Sequence, residues 1–441
     1  MKIHLVSLGC AKNLVDSEIM LGRLVQAGWP HTTDPREADT IIINTCSFIE
    51  SAANESIDTI LEMAKFKNSG VCRRLIVTGC LPERFREDIV DSLPEVDFFL
   101  GTGAFHEIEK AVKGPAEPSG CHLPDPYSQD FQDQEAPRLL SSPHIAYLKI
   151  AEGCNRHCTY CIIPKLRGKQ KSRPLENIVA EARFMISNNI KELILVAQDT
   201  TAYGNDLDPP VSLDHVLKNI ADISNDVWVR LLYAHPQSLG PDVIQTVAAY
   251  RNICSYFDIP IQHASNRLLK KMGRNYTSDH LFRLFDKIRS FAPHAVLRTT
   301  VMVGFPGETD KDYKALVNFV DEIRFDHLGV FVYSDSKDLL SHKLSGHIPE
   351  KVAKDRFDRL MLRQSKISFE NNRKHIGKTY EVLVETQAKN NLFTGRTFFQ
   401  TPEVDGITYI HSAKLPVGTF SSVRVTDVSE YDLVGEIVCT T

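Results

Sequence analysis

The chain has 441 residues and a mass of 49.7 kDa, and at about 150 residues per domain that leaves room for roughly three domains. Hydrophobic residues are 42% and charged residues 24%, which excludes a mainly disordered chain and removes any need for disulfides to hold a core. With 51 basic against 56 acidic residues the net charge is −5, so wholesale coating of nucleic acid is excluded, although a local basic patch is not.

Residues 1–113 read as strands alternating with helices. The apolar run Ile3–Leu8 ends at Gly9-Cys10, and an amphipathic stretch Asn13–Ala27 follows. Thr40–Asn44 ends at Thr45-Cys46 and leads into a helix over Ser51–Phe66. Arg74–Thr78 ends at Gly79-Cys80, before a helix over Glu83–Ser92. A strand Val96–Leu100 and a helix from Phe105 to Lys113 close the pattern, that of a small doubly wound parallel sheet. Residues 114–137 hold five prolines, five acids and neither Lys nor Arg, so 114–140 is expected to be an exposed linker.

Six further strands follow, at Ile145–Ile150, Glu192–Ala197, Trp228–Ala234, Tyr256–Ile261, Val296–Val303 and Leu328–Tyr333. Helical patterns such as Glu176–Ser187 and Asp279–Ser290 separate them. Residues 141–375 therefore predict a partial βα barrel, since a full one needs about 250 residues, with its site at the carboxyl ends of the strands. Residues 350–375 are charged and helical. From Lys378 the pattern alternates with period two, so 376–441 predicts a small all-β barrel.

The apolar runs are all short, so no segment approaches the roughly 20 residues that cross a bilayer. The start MKIHLVSLGC superficially resembles a lipoprotein signal, but His4 interrupts an apolar stretch far below the about 7–15 residues of a secretory core. A cytoplasmic location is expected, with the ten cysteines as free thiols or metal ligands.

Cys154-Asn-Arg-His-Cys158-Thr-Tyr-Cys161 follows directly on a barrel strand and can aim three thiolates at one point. A structural zinc site normally takes four protein ligands, and no fourth is evident, His157 lying between two of the cysteines. Three thiolates suit a four-iron four-sulfur cluster with one iron left open. Cys10, Cys46 and Cys80 each end a strand of the first domain, and such ends converge on the ligand crevice of a doubly wound sheet. Each alone reads as a small buried apolar residue; together they point to a second cluster, with Gly9 and Gly79 letting backbone approach it. Cys72, Cys121, Cys254 and Cys439 carry no matching context.

A CxxxCxxC loop opening a βα barrel, with an aromatic before its last cysteine, resembles the radical S-adenosylmethionine superfamily. The three-cysteine domain before it and the terminal barrel, which resembles a TRAM domain, narrow the resemblance to the methylthiotransferases. Ser7-Leu-Gly-Cys-Ala-Lys-Asn-Leu-Val-Asp-Ser-Glu18 is similar to the RimO branch, whereas the MiaB branch usually has Gln-Met-Asn where this chain has Ala11-Lys12-Asn13. The resemblance implies that the open iron on Cys154, Cys158 and Cys161 binds S-adenosylmethionine for cleavage to a deoxyadenosyl radical. It implies that a second cluster on Cys10, Cys46 and Cys80 presents the inserted sulfur and that a second S-adenosylmethionine supplies the methyl group. The implied substrate is the β-carbon of an aspartate in small-subunit ribosomal protein number twelve, free or in its ribosomal subunit. The implied electron donor is of the flavodoxin or ferredoxin kind, and the expected state is a monomer.

Tyr160 is expected near the adenine, and Gln198 and Gly304, at strand ends, are expected to contact the cofactor. Arg156, Lys165, Arg167, Lys169, Lys171 and Arg173 form an acid-free basic run between Cys154 and Leu175. From it Arg167 or Arg173 is expected to meet a carboxylate of cofactor or substrate; the bland reading is a solvated face. His235 and His263 read as structural. From Lys378 onward five basic residues stand against eight acids, which favours a basic protein partner over RNA. Two alternatives stay open: the same chemistry on a tRNA adenosine, and a non-enzymatic iron–sulfur protein that binds RNA or senses redox state.

Overall fold

The computed structural model describes residues 1–114, 120–128 and 137–438. The N-terminal sheet is wholly parallel, in the order β1 (Ile3–Ser7), β2 (Thr40–Thr45), β3 (Arg74–Gly79), β4 (Phe98–Leu100), β5 (Gly120–His122). Every residue of β2 is buried, as a parallel sheet covered on both faces requires. Helices Ala11–Gln26 and Ile108–Lys113 pack Val15, Ile19, Leu24 and Ile108 against Ile42 and Ile76 on one face. Helix Glu50–Ala64 packs Ala53 and Ile60 against Ile41, Ile43 and Val77 on the other.

Two local expectations change here. Most of the expected linker, residues 115–119 and 129–136, lies outside the described residues, as does Cys439. Within that stretch, however, Gly120–His122 joins the sheet edge, where the Phe98 ring covers Gly120 so closely that a Cβ would stand 2.4 Å from it. The single helix expected over Glu83–Ser92 is two, Cys80–Phe85 and Asp88–Ser92. Arg86 breaks it at φ +54°, its guanidinium drawn to Glu83 and to the Leu123 carbonyl. Cys80 therefore opens a helix, with Pro82 in the first turn, where a missing N–H costs nothing.

In the central domain β6 (Ile145–Lys149) is followed by a two-strand ribbon, β7 (Ala151–Glu152) with β8 (Lys171–Ser172), which brackets the CxxxCxxC loop. β6 pairs with β9 (Glu192–Val196) and β9 with β10 (Trp228–Leu231). β11 (Tyr256–Asp258) pairs with β12 (Val296–Val303), and β12 with β13 (His327–Val332). All four pairings are parallel, and single bridges at Val229–Ile253 and Gln262–Val301 supplement the two ladders. The outer core lies between these strands and the helices Leu175–Ser187, Leu213–Ala221, Ser278–Phe291 and Asp310–Ile323. This is the expected partial barrel. Among the described residues no helix is long and apolar enough to cross a membrane.

The terminal domain is a closed antiparallel-rich barrel of β14 (Thr379–Lys389), β15 (Leu392–Thr397), β16 (Thr408–His411), β17 (Phe420–Val428) and β18 (Leu433–Ile437). It docks at the amino ends of the central strands, opposite the cysteine loop. There Glu192 accepts hydrogen bonds from Arg230 Nε at 2.6 Å and Arg396 Nη2 at 2.5 Å, with all three residues buried. Tyr256 donates to Asp405 at 2.6 Å, and the Trp228 and Phe420 rings lie 4.6 Å apart. Stranding a buried charge costs about 3–5 kcal/mol, so Arg396→Met is expected to loosen the terminal barrel first. Limited proteolysis should then cut the connection at residues 373–378 well before the central domain, which the unaltered protein resists.

Candidate functional site

The carboxyl ends of β1, β2 and β3 carry Cys10, Cys46 and Cys80 into one crevice. Gly9 and Gly79 adopt φ of +90° and +96°, and their glycine character serves the protein's own packing. A Cβ on Gly9 would lie 2.6 Å from Cys46 Cβ, and one on Gly79 would lie 2.4 Å from Asn44 Oδ1. Gly9 thus lets the backbone pass close against the Cys46 side chain itself, Sγ included. Asn13 braces the crevice by donating from Nδ2 to the carbonyls of Leu8 at 3.0 Å and Thr45 at 2.8 Å.

The second triad hangs from β6. Gly153, at φ +77°, turns the chain so close to the Lys169 carbonyl that a Cβ would stand 2.1 Å from it. The loop is then clamped from three sides. Cys154 N–H donates to the Gly168 carbonyl at 3.1 Å, and Thr159 N–H donates to the Met272 carbonyl at 3.1 Å. Arg156 Nε donates to Asp199 Oδ2 at 2.8 Å. Asp199 thus anchors the cysteine loop, an ordering role that its place beside Gln198 did not reveal.

Cys80 packs with Ile162, Leu166 and Leu339 in one small apolar cluster, which sets the N-terminal triad against the helix that follows Cys161. Beside it runs a buried polar seam. Arg167 Nη1 donates to Asp16 Oδ2 at 2.7 Å and to Glu152 Oε2 at 3.2 Å; Nη2 contacts Asn13 Oδ1 and lies 3.8 Å from Cys80 Sγ. Lys149 Nζ donates to Glu152 Oε2 at 2.9 Å and also to Asp16. Burial opposes the charge on Glu152, but Lys149 and Arg167 outweigh it and hold the carboxyl well below the usual range.

This geometry corrects the expectation for the two arginines. Arg167 is committed to the seam. Arg173 donates to the Lys149 carbonyl at 2.9 Å and to Glu181 Oε2 at 2.5 Å, so it ties a barrel helix to the wall. The bland reading of a solvated basic face also fails for both, since each is buried. Tyr160 accepts a hydrogen bond from Arg274 Nη2 at 2.6 Å and lies edge-on to Phe305. Gly304 N–H donates to Glu308 Oε2 at 2.5 Å, and a Cβ at Gly304 would meet Ala353 at 2.5 Å. Glu308 Oε1 lies 3.3 Å from His263 Nε2, and Arg356 Nη1 donates to its Oε2 at 2.9 Å. Burial, with Arg274 and Arg156 nearby, pushes His235 down to about 2, so it is a neutral structural group. Gln198 Nε2 is held by Glu152, while its buried Oε1 has no hydrogen-bond partner among the described residues.

The thiols suit a polynuclear centre. Burial pushes Cys80 and Cys161 up to about 12 and Cys154 up to about 11, and neighbouring cysteines of the same triad add to each rise. Such thiols are protonated and unreactive until a cationic centre draws off their protons. For Cys10 the desolvation that would raise it is outweighed by Lys12 and Arg167, which bring it below its ordinary value. Among the described residues no three His, Cys, Asp or Glu side chains close around a single ion. Within each triad the thiols lie near enough to raise one another, and a cluster takes each thiolate on a different iron. The orphaned Gln198 oxygen adds an unmet polar contact at the same mouth.

Residues 148–320 match the radical SAM superfamily, residues 376–438 the TRAM domain, and residues 2–101 the uncharacterized protein family UPF0004. The solved radical S-adenosylmethionine methyltransferase TsrM from Kitasatospora setae, with tryptophan substrate and a SAM analog bound, shares the fold. Its TM-score is 0.55 at 15% identity, over 76% of this chain and 74% of that one. Fold and site together define a radical S-adenosylmethionine enzyme. A relative in Desulfosudis oleivorans named ribosomal protein uS12 methylthiotransferase RimO is 52% identical, over 99% of this chain and 100% of its own length. One of the same name in Clostridioides difficile (strain 630) is 48% identical over 99% of both chains. The chain belongs to the RimO family and is a methylthiotransferase, and its class uses S-adenosylmethionine with a four-iron four-sulfur cluster.

Arg84, on the helix opened by Cys80, fastens the far side of the cleft. It donates from Nε to Asp338 Oδ2 at 2.9 Å and from Nη2 to Asp338 Oδ1 at 2.8 Å. Burial resists the charge on Asp338, but Arg84 holds its carboxyl down to about 2. A depressed folded value means the contribution is complete above the ordinary 3.8 and is lost as pH falls through about 2. Partial exposure screens the pair, so Asp338→Ala is expected to cost about 1 kcal/mol near neutral pH. In urea unfolding the gap between variant and unaltered protein should close as pH falls from 3.8 toward 2.

Proposed function

We propose that this enzyme replaces a hydrogen on the β-carbon of an aspartate in ribosomal protein uS12 with a methylthio group. It uses two four-iron four-sulfur clusters, one on Cys154, Cys158 and Cys161 and one on Cys10, Cys46 and Cys80. The observation that carries this reading is the packing of Cys80 against Ile162 and Leu166, next to Cys161, which brings the two thiol triads to one cleft. One cysteine set would serve cofactor cleavage alone; two sets facing a shared cleft suit cleavage on one side and sulfur delivery on the other. When bound, the first cluster supplies the electron that splits S-adenosylmethionine to a hydrogen-abstracting radical, and the second supplies the inserted sulfur.

The chain's own contribution is placement and exclusion. The Arg156–Asp199 pair and the clamp at Met272 set the loop that presents Cys154, Cys158 and Cys161. Ile162, Leu166 and Leu339 keep water out of the gap between the triads. Gln198 Oε1 is available to a cofactor donor, while Tyr160, held by Arg274, walls the pocket against Phe305. On this reading residues 1–113 carry the sulfur-bearing cluster, 141–375 cleave the cofactor, and 376–441 engage the ribosomal partner. Electrons come from a small donor of the flavodoxin or ferredoxin kind.

The terminal barrel bears on substrate choice. Docking buries Arg396 and the Asp405 carboxylate, leaving Lys378, Lys389, Lys414 and Arg424 exposed against Glu381, Glu403, Asp427, Glu430 and Glu436. RNA backbone binding draws on an excess of Lys and Arg, and this surface has none. The balance supports a protein substrate, less strongly than the raw composition does.

Anaerobically reconstituted protein should hold about eight irons per chain, four for each cluster. Given reductant and S-adenosylmethionine, it should add one sulfur plus one methylene to uS12, read by mass spectrometry, and nothing to tRNA offered in parallel. Cys158→Ala should abolish deoxyadenosine formation, whereas Cys46→Ala should keep it and lose sulfur insertion. Modification of tRNA alone would reject the substrate, and insertion by Cys46→Ala would reject the second cluster.

A further inference from the structure

Lys12 sits in the first turn of helix Ala11–Gln26 but reaches out of its own domain. Its Nζ lies 3.6 Å from the centre of the Tyr233 ring, just past the carboxyl end of β10. Tyr233 has φ +61°, a left-handed conformation that side chains of its size rarely adopt. The surroundings enforce it. Tyr233 N–H donates to Asp258 Oδ2 at 3.0 Å, and its carbonyl accepts from Thr200 N–H at 3.2 Å and Thr200 Oγ1 at 3.1 Å. A strained residue held this firmly at a barrel mouth marks a functional position.

The charges at this mouth do not balance. Lys149, Arg167 and Lys12 stand against Asp16 and Glu152, three cations to two carboxylates. Lys149 and Arg167 engage both carboxylates. Among the described residues none forms an ion pair with Lys12. The ring face of Tyr233 supports an ammonium without neutralising it, so among the described residues Lys12 is the cation of the three without a carboxylate partner, its charge acting on the neighbouring Cys10 thiol. Cys10, two residues away, is the neighbouring position at which the N-terminal triad begins.

We propose that Lys12 holds the carboxylate of the substrate aspartate, with Tyr233 fixing the ammonium, and thereby selects an acidic residue over its amide. This rests on the uS12 reading above. Lys12 is then a specificity-determining residue, and the bond it makes is a charge-assisted hydrogen bond to a carboxylate oxygen.

The test uses cluster-loaded, full-length enzyme and two forms of uS12, one with the target aspartate and one with asparagine in its place. Lys12→Met is expected to lower kcat/KM on the aspartate form by about 10- to 100-fold, chiefly through KM. The preference for aspartate over asparagine should collapse toward unity, Lys12→Arg should restore most of it, and iron content should match the unaltered enzyme. Equal losses on both forms, a preserved preference, or loss of iron in Lys12→Met would overturn the assignment. The last result would show that Lys12 serves the Cys10 thiolate. Unaltered enzyme acting on tRNA alone would overturn the substrate reading, a failure visible before any variant is made.

Discussion

Asp16 and Glu152 lie between Lys149 and Arg167 at the seam between the N-terminal sheet and the central barrel, and the relation of the two thiol triads depends on that quartet. Asp16, Lys149 and Arg167 are 2%, 2% and 4% exposed, so their desolvation is substantial and only a full set of hydrogen bonds offsets it. The two bonds of Asp16 cross from the N-terminal domain to the segment that carries the CxxxCxxC loop, while Glu152 joins Lys149 and Arg167 within that segment. Asp16 follows Cys10 on the same helix; Glu152 and Arg167 flank Cys154–Cys161. Arg167 additionally reaches Asn13 and Cys80, so one guanidinium touches both sides of the gap. A seam of this kind does not loosen by degrees, because a small separation leaves several buried charges unmatched at once.

The rest of the molecule follows from that constraint. With the N-terminal sheet fixed over the carboxyl ends of the barrel strands, the terminal barrel docks at their amino ends, through Glu192, Trp228 and Tyr256. Chemistry and the TRAM-matching module therefore occupy opposite ends of the central domain. A macromolecular substrate bound by the terminal barrel has to extend around the central domain to present a residue at the cleft. A folded protein or an assembled ribosomal subunit can span that distance.

The strands of the first two domains were legible because parallel strands buried on both faces are continuous apolar runs, and the cysteines stood at their ends. CxxxCxxC was legible because its spacing is local. Gly120–His122 was not, since a three-residue strand with no apolar run is held by its backbone pairing to β4 and by the Phe98 ring across from it. Arg167 and Arg173 were marked as possible anion partners because a basic run carries no record of the acids that will face it. Of those acids, Asp16 comes from a distant segment of the chain, and Glu181 lies on the helix that follows the run. The docking cluster was equally hidden: Glu192 and Arg396 are 204 residues apart, and neither position differs in composition from an ordinary surface charge. Gly9 and Gly79 were legible as special backbone positions, while the protein atoms that press on them, Cys46 and Asn44, were not, since positive φ shows in the residue type and the contacting atom does not.

The central claim is that the buried quartet keeps the two triads in register, and Asp16→Asn tests it most directly. It keeps the shape of the side chain and all six triad cysteines while removing the charge that Lys149 and Arg167 share. The measurement is the ratio of deoxyadenosine formed to methylthiolated uS12 formed, in protein with its iron content verified. The account predicts a ratio raised severalfold over the unaltered enzyme, with cofactor cleavage persisting and sulfur transfer failing to keep pace. An unchanged ratio in iron-replete Asp16→Asn would contradict it.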